Sequence, residues 1–429
     1  MVRLLVIADD FTGALDTGIQ FAEYGAATRL LTATEIDGTT FPDGEAEVLV
    51  IDAETRHLSS KEAYRRVYRL TRQALEDGVR YVYKKTDSGL RGNIGSELKA
   101  VMDASGENFL AYLPALPEMN RVTVRGIHYI EGIPIAETEF GKDPFEPVTS
   151  SAVLDLFREE DVPVKLYPRQ DFYQTKDCRG VIGIFDSETQ EDIQRIAAYL
   201  QSSGQLRVMA GCAGFAAVLP GTLGLRKRPV CVPALRRQML IACGSMNPIT
   251  RRQIEYGEAL GYRRVIMTPE QQLEEGYLDG LEGRRWLEQI DGCFRQSDVV
   301  MIDTGVSGGR EAGQYRKDHG ISLEQARIRI AERIGNVLKK LLEKNCERTL
   351  MIVGGDTLMG FVSQTDCREI TPVCEVEPGT VLSSMKIGER SVWVITKSGG
   401  FGGKELFQTI VEKIEVWRSA ERTCCDSIS

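Results

Sequence analysis

The chain has 429 residues, of which 42% are hydrophobic and 27% are charged, and its formal net charge is -9. Because a single core usually stops growing below this length, we expect two or three domains. The acidic balance argues against a nucleic-acid partner, which normally requires a basic domain or stripe.

Strand-like apolar runs alternate with helical periodicity along the first half of the chain, a pattern typical of α/β folds with largely parallel sheets. The runs that we interpret as strands are residues 4–8, 47–52, 79–83, 109–113 and 181–185. Two helices are predicted to begin with capping boxes, one formed by Ser59 and Glu62 and the other by Ser187 and Gln190.

Residues 219–237 interrupt this alternation with three prolines, two glycines and five basic residues. We interpret them as an interdomain linker, although a long loop inside one domain is an alternative. The sequence therefore predicts an N-terminal domain at residues 1–218, a C-terminal domain at 238–420 and a tail at 421–429.

The second half repeats the alternation of strands and helices. Its predicted strands are residues 239–243, 265–268, 299–303, 350–353 and 391–396. The clearest helix carries apolar residues at three- and four-residue steps, namely Leu323, Ala326, Ile330, Ile334, Val337 and Leu341. Two α/β domains are the architecture that this pattern favours.

Charged side chains follow three strands of the first half. Asp9 and Asp10 follow the first strand, Arg56 follows the second, and the third leads into residues 84–93, where Asn93 is the predicted N-cap of the next helix. The carboxyl ends of parallel strands meet at one edge of a sheet, where ligands bind. Cations suit a carboxylate or phosphate and carboxylates suit hydroxyl groups, so we predict a site for a polyhydroxylated acid. A network of surface salt bridges is the alternative.

Three strands of the second half open into glycine-bearing turns, at residues 243–248, 354–357 and 397–404. Glycine lets backbone amides approach phosphate groups, so these turns suggest a nucleotide site, whereas plain strand-to-helix turns are the alternative. Glu405 stands where a Walker A loop needs Ser or Thr and where a dinucleotide fingerprint needs its third glycine. Neither motif is therefore present.

The chain's three histidines, His57, His128 and His319, lack metal-ligand spacing, so we predict no protein metal site. Its ten cysteines are scattered without a Cys-x-x-Cys pair. No apolar run reaches the length of a membrane span, and no signal-peptide pattern begins the chain. We therefore expect a cytoplasmic protein with no membrane partner.

At the charged and glycine-rich segments the chain resembles the four-carbon acid sugar kinase family. The matching segments are Ile7-Ala8-Asp9-Asp10-Phe11-Thr12-Gly13-Ala14, Lys85-Thr86-Asp87-Ser88-Gly89-Leu90-Arg91-Gly92-Asn93, Gly244-Ser245 with Thr250 and Gln253, Gly354-Gly355-Asp356-Thr357, and Ser398-Gly399-Gly400-Phe401-Gly402. The resemblance keeps the order of these motifs over nearly the full length.

This resemblance implies an ATP-dependent kinase of carbohydrate metabolism that phosphorylates a terminal hydroxyl of threonate, erythronate or 3-oxo-tetronate. It also implies an N-terminal sugar-acid-binding domain, a C-terminal nucleotide-binding domain and an active site in the cleft between them. By the resemblance, the substrate-binding residues would be Asp9, Arg56, Lys84, Lys85, Thr86 and Asp87, and we add Ser88 and Arg91 of the same loop. The ATP-binding residues would be Ser245, Gly354, Gly355, Asp356, Thr357, Gly399 and Gly400, and we add Gly402 of the same glycine-rich turn.

Two departures from the family pattern concern the ligands. Gly89 stands where threonine is more usual, which leaves the choice of sugar acid open, and Asp356 stands where glutamate is more usual. The stereoisomer, the phosphorylated hydroxyl and the oligomeric state, including a homo-oligomer, are also open.

Phosphoryl transfer mainly requires alignment and charge neutralisation. Our hypothesis is that Arg56, Lys84, Lys85 and Arg91 hold the substrate carboxylate and offset the phosphoryl charge. Asp10 would orient or deprotonate the attacking hydroxyl, with Asp87 as the alternative base. Magnesium would bridge the ATP phosphates with few protein ligands. A sugar-acid dehydrogenase and a non-catalytic nucleotide- or metabolite-sensing module are the competing hypotheses.

Overall fold

The chain divides into two compact units, Met1–Val230 and Cys231–Ser429. The computed structural model describes residues 2–32, 46–143, 146–170, 180–230, 232–233, 235–244, 247–345, 347–397 and 400–426, with the backbone alone for 306–310 and 420–426. Each unit is an α/β fold with a hydrophobic core of its own.

The first unit has strands β1 (Leu4–Ala8), β2 (Thr28–Leu31), β3 (Val48–Asp52), β4 (Tyr81–Lys85), β5 (Phe109–Leu113), β6 (Arg121–Val124), β7 (Ile127–Ile130), β8 (Ile133–Pro134), β9 (Val164–Tyr167), β10 (Val181–Phe185) and β11 (Val208–Gly211). Its helices are α1 (Phe11–Tyr24), α2 (Ser60–Glu76), α3 (Ile94–Ser105), α4 (Gln190–Ser202), α5 (Ala213–Ala216) and α6 (Leu219–Thr222). Single 3₁₀ turns lie at Pro117–Met119, Ile135–Glu137 and Val153–Phe157.

The main sheet of this unit is parallel throughout, in the order β2-β3-β1-β4-β11-β5-β10-β9. Strands β1 and β3 are buried at every residue, as expected of parallel strands that are covered on both faces. Since β3, β1 and β4 are neighbours, the loops that follow them start side by side at one edge of the sheet.

A small antiparallel sheet of β6, β7 and β8 follows β5. Isolated bridges join its Thr123 to Ser187 and its Ile127 to Ala152. The backbone N–H groups of Arg125 and Gly126 also donate to the Asp186 carboxylate, at 2.7 and 2.9 Å. The sequence patterns did not predict this sheet.

The second unit has strands β12 (Met239–Cys243), β13 (Arg263–Ile266), β14 (Val299–Asp303), β15 (Thr349–Val353), β16 (Glu369–Glu377), β17 (Thr380–Ile387) and β18 (Arg390–Lys397). Its helices are α7 (Pro248–Ala259), α8 (Pro269–Leu273), α9 (Leu281–Cys293), α10 (Val306–Asp318), α11 (Leu323–Lys344), α12 (Gly355–Thr365) and α13 (Leu406–Asp426), with a 3₁₀ turn at Tyr277–Asp279.

Its sheet runs in the order β13-β14-β12-β15-β18-β17-β16. The first five strands in this order, β13, β14, β12, β15 and β18, are parallel. Strands β18, β17 and β16 form an antiparallel meander. Helices α11 and α12 cross with their backbones in contact. A Cβ on Gly335 would lie only 2.2 Å from the Gly360 oxygen. Only glycine fits at that crossing.

Each predicted strand has a counterpart in the structure, although the prediction lacked β2, β9 and β11 of the parallel sheet and β16 and β17 of the second unit. The predicted strands 4–8, 109–113, 181–185, 239–243 and 299–303 coincide with β1, β5, β10, β12 and β14. The capping box of Ser59 and Glu62 at α2 is confirmed. The predicted α/β class with largely parallel sheets is therefore confirmed.

Some predicted elements were wrong in position. The strand predicted at 79–83 lies at Tyr81–Lys85, because the two lysines are buried in the sheet, and the one predicted at 265–268 lies at Arg263–Ile266. Thr189 with Asp192, rather than Ser187 with Gln190, forms the capping box of α4. Ser187 instead pairs through its backbone with Thr123.

Candidate functional site

The carboxyl ends of β1, β3 and β4 bring the predicted charged residues of the first unit together. Asp9 and Asp10 follow β1, Arg56 lies four residues after β3, and Lys85 ends β4. The amides of Thr55 and Arg56 donate to the Asp9 carbonyl at 3.0 and 3.2 Å, which joins the first two loops. The sheet order thus explains why residues distant in sequence form one cluster.

Arg56 is the centre of this cluster. Its Nε lies 2.8 Å from Asp9 Oδ2, one terminal nitrogen lies 2.8 Å from Asp10 Oδ2, and the other lies 3.8 Å from Asp87 Oδ1. Only 9% of the Arg56 side chain is exposed. One enclosed guanidinium therefore holds three carboxylates in place.

The loop of residues 86–93 is tightly folded around Asp87. The Asp87 carboxylate accepts hydrogen bonds from Arg91 Nε at 2.6 Å and from an Arg91 terminal nitrogen at 3.3 Å. Such a two-point contact fixes orientation as well as charge. Leu90, at a φ of 57°, and Gly92, at 84°, both have left-handed backbones that reverse the chain here.

Asn93 occupies the predicted N-cap position of α3, but its side chain makes no capping hydrogen bond. Its Nδ2 instead donates to the carbonyl oxygens of Thr55 and Leu58, both at 2.9 Å. The prediction was therefore right about the position and wrong about the bond. Asn93 ties the loop after β4 to the loop after β3.

The two adjacent lysines have different surroundings. Lys84 is fully buried, and its Nζ lies 3.0 Å from Glu97 Oε2 and 2.7 Å from the Lys85 carbonyl oxygen. Lys85 is 4% exposed, and its Nζ makes no hydrogen bond or ion pair within the part of the chain that the structure describes. That Nζ lies beside Gly13 in the first turn of α1, 2.7 Å from where a Cβ would stand. Lys85 is thus better placed than Lys84 to contact a ligand.

The pKa values of the three aspartates in the cluster are shifted in different directions. Burial raises the pKa of Asp9, but Arg56, Lys84 and Lys85 together lower it below its ordinary value. Burial and the neighbouring Asp9 charge raise the pKa of Asp10. Burial also opposes the Asp87 charge, yet Arg56 and Arg91 hold its pKa well below the usual range. Asp10 is accordingly the carboxylate with the greatest affinity for a proton.

Thr86 and Ser88 both lie in the loop of residues 86–93, with Thr86 fully buried and Ser88 9% exposed. The small sheet brings two residues to Ser88 that sequence reasoning missed. Arg121 donates to the Ser88 hydroxyl, and His128 Nε2 lies 3.1 Å from the Ser88 carbonyl oxygen. Burial lowers the pKa of His128 to about 4, so this ring is neutral near pH 7 and donates through Nε2. No motif marked Arg121 or His128 in the sequence.

In the second unit, the predicted glycine turns follow neighbouring parallel strands, β12, β15 and β18. Gly354 precedes α12 with a φ of 101°, and its N–H donates to the Lys397 carbonyl at 2.9 Å. Thr357, in the first turn of α12, accepts a hydrogen bond from the Gly244 N–H at 3.2 Å. Ser245 and Gly399, both predicted to bind nucleotide, lie outside the described residues.

The turn after β18 is held by Gln253, which is fully buried on α7. Its Nε2 donates to the carbonyl oxygens of Phe401, Gly402 and Gly403, at 2.9, 3.2 and 2.9 Å. Gly402 has a φ of 82°, a conformation that favours glycine. Because the Gln253 side-chain amide bonds to three successive carbonyl oxygens, it fixes the shape of the predicted phosphate-binding turn.

A cavity of about 290 Å³ lies in the second unit beside Gly244, Asp356 and Thr357. Its wall combines apolar and basic side chains, among them Leu273, Ala312, Ala326, Ile330, Arg316 and Arg327. Arg327 also lies 3.4 Å from Asp356 Oδ1. Sequence reasoning assigned Ala326 and Ile330 to a helix stripe, which predicts burial but does not separate a core from a ligand cavity.

Comparison with known families agrees with this division of chemistry. A model of a sugar-binding N-terminal domain matches residues 4–219, and a model of a nucleotide-binding C-terminal domain matches residues 240–407. The chain belongs to the four-carbon acid sugar kinase family. The family and the phosphotransferase class predicted from the sequence are therefore confirmed, and the first unit contains the sugar-binding domain of this kinase family.

Relatives in this family match the chain over nearly its whole length. A D-threonate kinase of Salmonella typhimurium is 29% identical, covering 94% of this chain and 96% of its own. A D-erythronate kinase of Heliobacterium modesticaldum is 26% identical, covering 96% and 97%. The crystal structure of a putative tRNA synthase from Salmonella typhimurium, 19% identical, has the same fold, with a TM-score of 0.80 over 95% of this chain and 98% of that one.

Among the described residues of this family member, no cluster of three or more His, Cys, Asp and Glu side chains is arranged to hold a metal ion. None of the described helices combines the length and apolarity that crossing a bilayer requires.

Proposed function

We propose that this chain is an ATP-dependent kinase that phosphorylates a terminal hydroxyl of a four-carbon sugar acid, with threonate, erythronate and 3-oxo-tetronate as the candidate substrates. The observation that carries the proposal is the enclosed cluster of Asp9, Asp10, Arg56, Lys85 and Asp87 in the sugar-binding domain. It offers acceptors for hydroxyl groups and cations for a carboxylate within one set of loops.

One acceptor in the cluster still lacks a donor. Asp9 Oδ1 is buried without a hydrogen-bond partner among the described residues, although Asp9 Oδ2 is bonded to Arg56. A buried carboxylate oxygen without a donor is costly, so its partner is expected to come from a ligand. A substrate hydroxyl supplies such a donor, which supports the assignment of Asp9 to substrate binding.

Asp10 is the proposed general base. It lies at the N-terminus of α1, where its Oδ1 accepts from the Gly13 N–H at 2.9 Å, and 26% of its side chain is exposed. A raised pKa gives Asp10 more affinity for the substrate's proton than an ordinary carboxylate has. Asp87 is the weaker candidate, because Arg56 and Arg91 stabilise its charged form.

The cations divide into two groups by position. Lys85 lies next to Gly13 and the proposed base, so we assign it to the phosphoryl group at the reacting end of the substrate. Arg91 is paired with Asp87 rather than with the proposed base, and we assign it to the substrate carboxylate. We assign Arg56 and Lys84 to holding these groups in place, since Arg56 is paired with aspartates of the cluster and the buried Lys84 is paired with Glu97.

We propose that the second unit binds ATP with two kinds of surface. The apolar wall around Ala326 and Ile330 suits the base, and Arg316 and Arg327 suit the phosphates. Gly354, Gly355 and the turn at Gly400 and Gly402 present backbone to the phosphates, with Ser245 and Gly399 retained from the sequence prediction. The apolar cavity is the part that sequence reasoning missed.

Magnesium is proposed as the ion that accompanies ATP. This ion is usually bound by one or two protein carboxylates together with substrate phosphates. Asp356, which is 60% exposed beside Arg327, could supply such a carboxylate. Bound there, magnesium would neutralise phosphate charge. The interdomain position of the active site and the cytoplasmic location stay predictions.

The test is a coupled ADP-release screen over D- and L-threonate, D- and L-erythronate, their 3-oxo derivatives and five-carbon acids. We expect ADP formation that depends strictly on one or a few four-carbon acids. A flat response over the whole panel would contradict the proposed function. ADP formation without any added acid would point to a nucleotide hydrolase instead.

A further inference from the structure

Gly89 lacks a side chain because of a neighbour and not because of its own backbone. Its φ lies outside the left-handed region, unlike those of Leu90 and Gly92 in the same loop. A Cβ added at Gly89 would stand 2.2 Å from Cε1 and 2.5 Å from Cδ1 of the Phe140 ring, and 2.9 Å from Asp87 Oδ2. The ring therefore occupies the space that a side chain at residue 89 would need.

Phe140 is held firmly in that position. Its N–H donates to the Thr138 hydroxyl at 3.3 Å, and its carbonyl accepts from the Val148 N–H at 3.0 Å. The next residue, Gly141, packs so closely that a Cβ would lie 1.9 Å from the Ala136 oxygen. These contacts fix the backbone that carries the ring beside the loop of residues 86–93.

Two arginines lie over the same ring. The guanidinium carbons of Arg91 and Arg121 are 5.2 and 5.3 Å from the Phe140 centroid, a distance at which the aromatic face attracts a cation. Arg121 also donates to the Ser88 hydroxyl, and its Nε is buried without a hydrogen-bond partner among the described residues. The ring thus aligns two cations, one of which has an unused buried donor.

We propose that Phe140, seated against Gly89, determines which configuration of the sugar acid is accepted at C2, and that Arg121 joins Arg91 in binding the carboxylate. This inference rests on the proposed function. The carbon next to a carboxylate held by these arginines lies close to the ring. Because the ring edge cannot form a conventional hydrogen bond, a C2 hydroxyl directed towards it would lose its partner.

D-threonate and D-erythronate have the same configuration at C3 and differ at C2, so they test this inference directly. We expect kcat/KM of the native enzyme to differ between them by about tenfold or more, the cost of one unpaired hydroxyl. Phe140→Ala should bring the ratio of kcat/KM between the two epimers closer to one by about tenfold, and Phe140→Leu should change this ratio by less. A role in packing alone would lower kcat/KM for both epimers equally, so an unchanged ratio would overturn the inference.

A second variant tests the contact itself. Gly89→Ser should lower kcat/KM by more than about tenfold in the native background, because its Cβ overlaps the ring, and by much less when combined with Phe140→Ala. Gly221→Ser is the matched control, since a Cβ there has no atom within 4 Å. Equal losses in both backgrounds would also overturn the inference.

The experiments distinguish a failure of the proposed function from a failure of this inference alone. If the native enzyme forms ADP with neither these epimers nor any other acid of the panel, both the kinase proposal and the inference are contradicted. If it phosphorylates a sugar acid but none of the ratios responds to residue 140, the inference falls alone. Melting temperatures of all variants identify any loss of folding.

Discussion

The candidate sites of the two units offer a ligand different kinds of contact. The candidate site of the first unit consists mainly of charged side chains, and the one guanidinium of Arg56 contacts the carboxylates of Asp9, Asp10 and Asp87. In the second unit, backbone groups and an apolar cavity dominate, with Gln253 holding the turn after β18. A site for a small, strongly polar acid needs charge, whereas a site for a nucleotide needs shape and backbone amides. Changes in charge should therefore impair the first unit most, and changes in shape the second.

The largest expected effect is on the proposed base. Asp10→Asn should lower kcat by about 10²- to 10⁴-fold, the usual contribution of general-base catalysis, while ATP binding stays intact. Turnover by the ADP assay and ATP binding by calorimetry measure the two quantities. Asp87→Asn is the comparison, and near-normal turnover of the Asp10 variant would exclude its role as base.

The adjacent lysines separate ligand binding from structure. Lys85→Met should lower kcat/KM for the sugar acid by about 10- to 100-fold with a smaller loss of stability, because its Nζ is available to a ligand. Lys84→Met should instead destabilise the fold by about 3–5 kcal/mol, because it leaves Glu97 buried and unpaired. Denaturant unfolding and kinetics test the pair, and Lys84→Met with Glu97→Gln should recover the stability. Equal loss of stability in both single variants would contradict this distinction.

Asp52, the last residue of β3, predicts a pH dependence of stability. Burial and the charge of Glu54 raise its pKa to about 8. The folded state therefore binds this proton more tightly than the unfolded state. Its stabilising contribution is present below about pH 4 and is lost as the pH rises to about 8.

Asp52→Asn removes this titration. The variant should gain stability relative to the native chain as the pH rises, by a few kcal/mol between about pH 5 and about pH 8. Denaturant unfolding across that range measures the difference, and the exposed Asp77→Asn serves as a control. A constant difference at all pH values would show that Asp52 does not titrate in this way.

The smallest expected effect concerns the shape of the second site. Leu323 lines the cavity although it is 73% exposed, so Leu323→Ser should raise KM for ATP by about three- to tenfold without changing stability. Leu281→Ser is a matched control, because Leu281 is 69% exposed and lies elsewhere on the second unit. If both variants change KM equally, the cavity is not the site of the base.

Sequence patterns predicted the buried parallel strands well, because continuous apolar runs such as 239–243 are distinctive. They missed β6, β7 and β8, which are short and only partly buried, and with them Arg121 and His128. They also missed β16 and β17, in which polar residues interrupt the apolar ones so that no long apolar run is left. The cavity residues were missed because an apolar helix stripe looks the same whether it faces a core or a ligand.

The sequence by itself determined the α/β class, the family and the identity of the charged and glycine-bearing loops, because these depend on local composition and on the order of motifs. Only the tertiary structure decided how adjacent residues divide their tasks. Lys84 and Lys85 have the same side chain, but alternate residues of a strand face opposite sides of the sheet, so one meets Glu97 and the other Gly13. Likewise, the reason for glycine at residue 89 is a ring fifty-one positions away, which only the folded chain brings into contact.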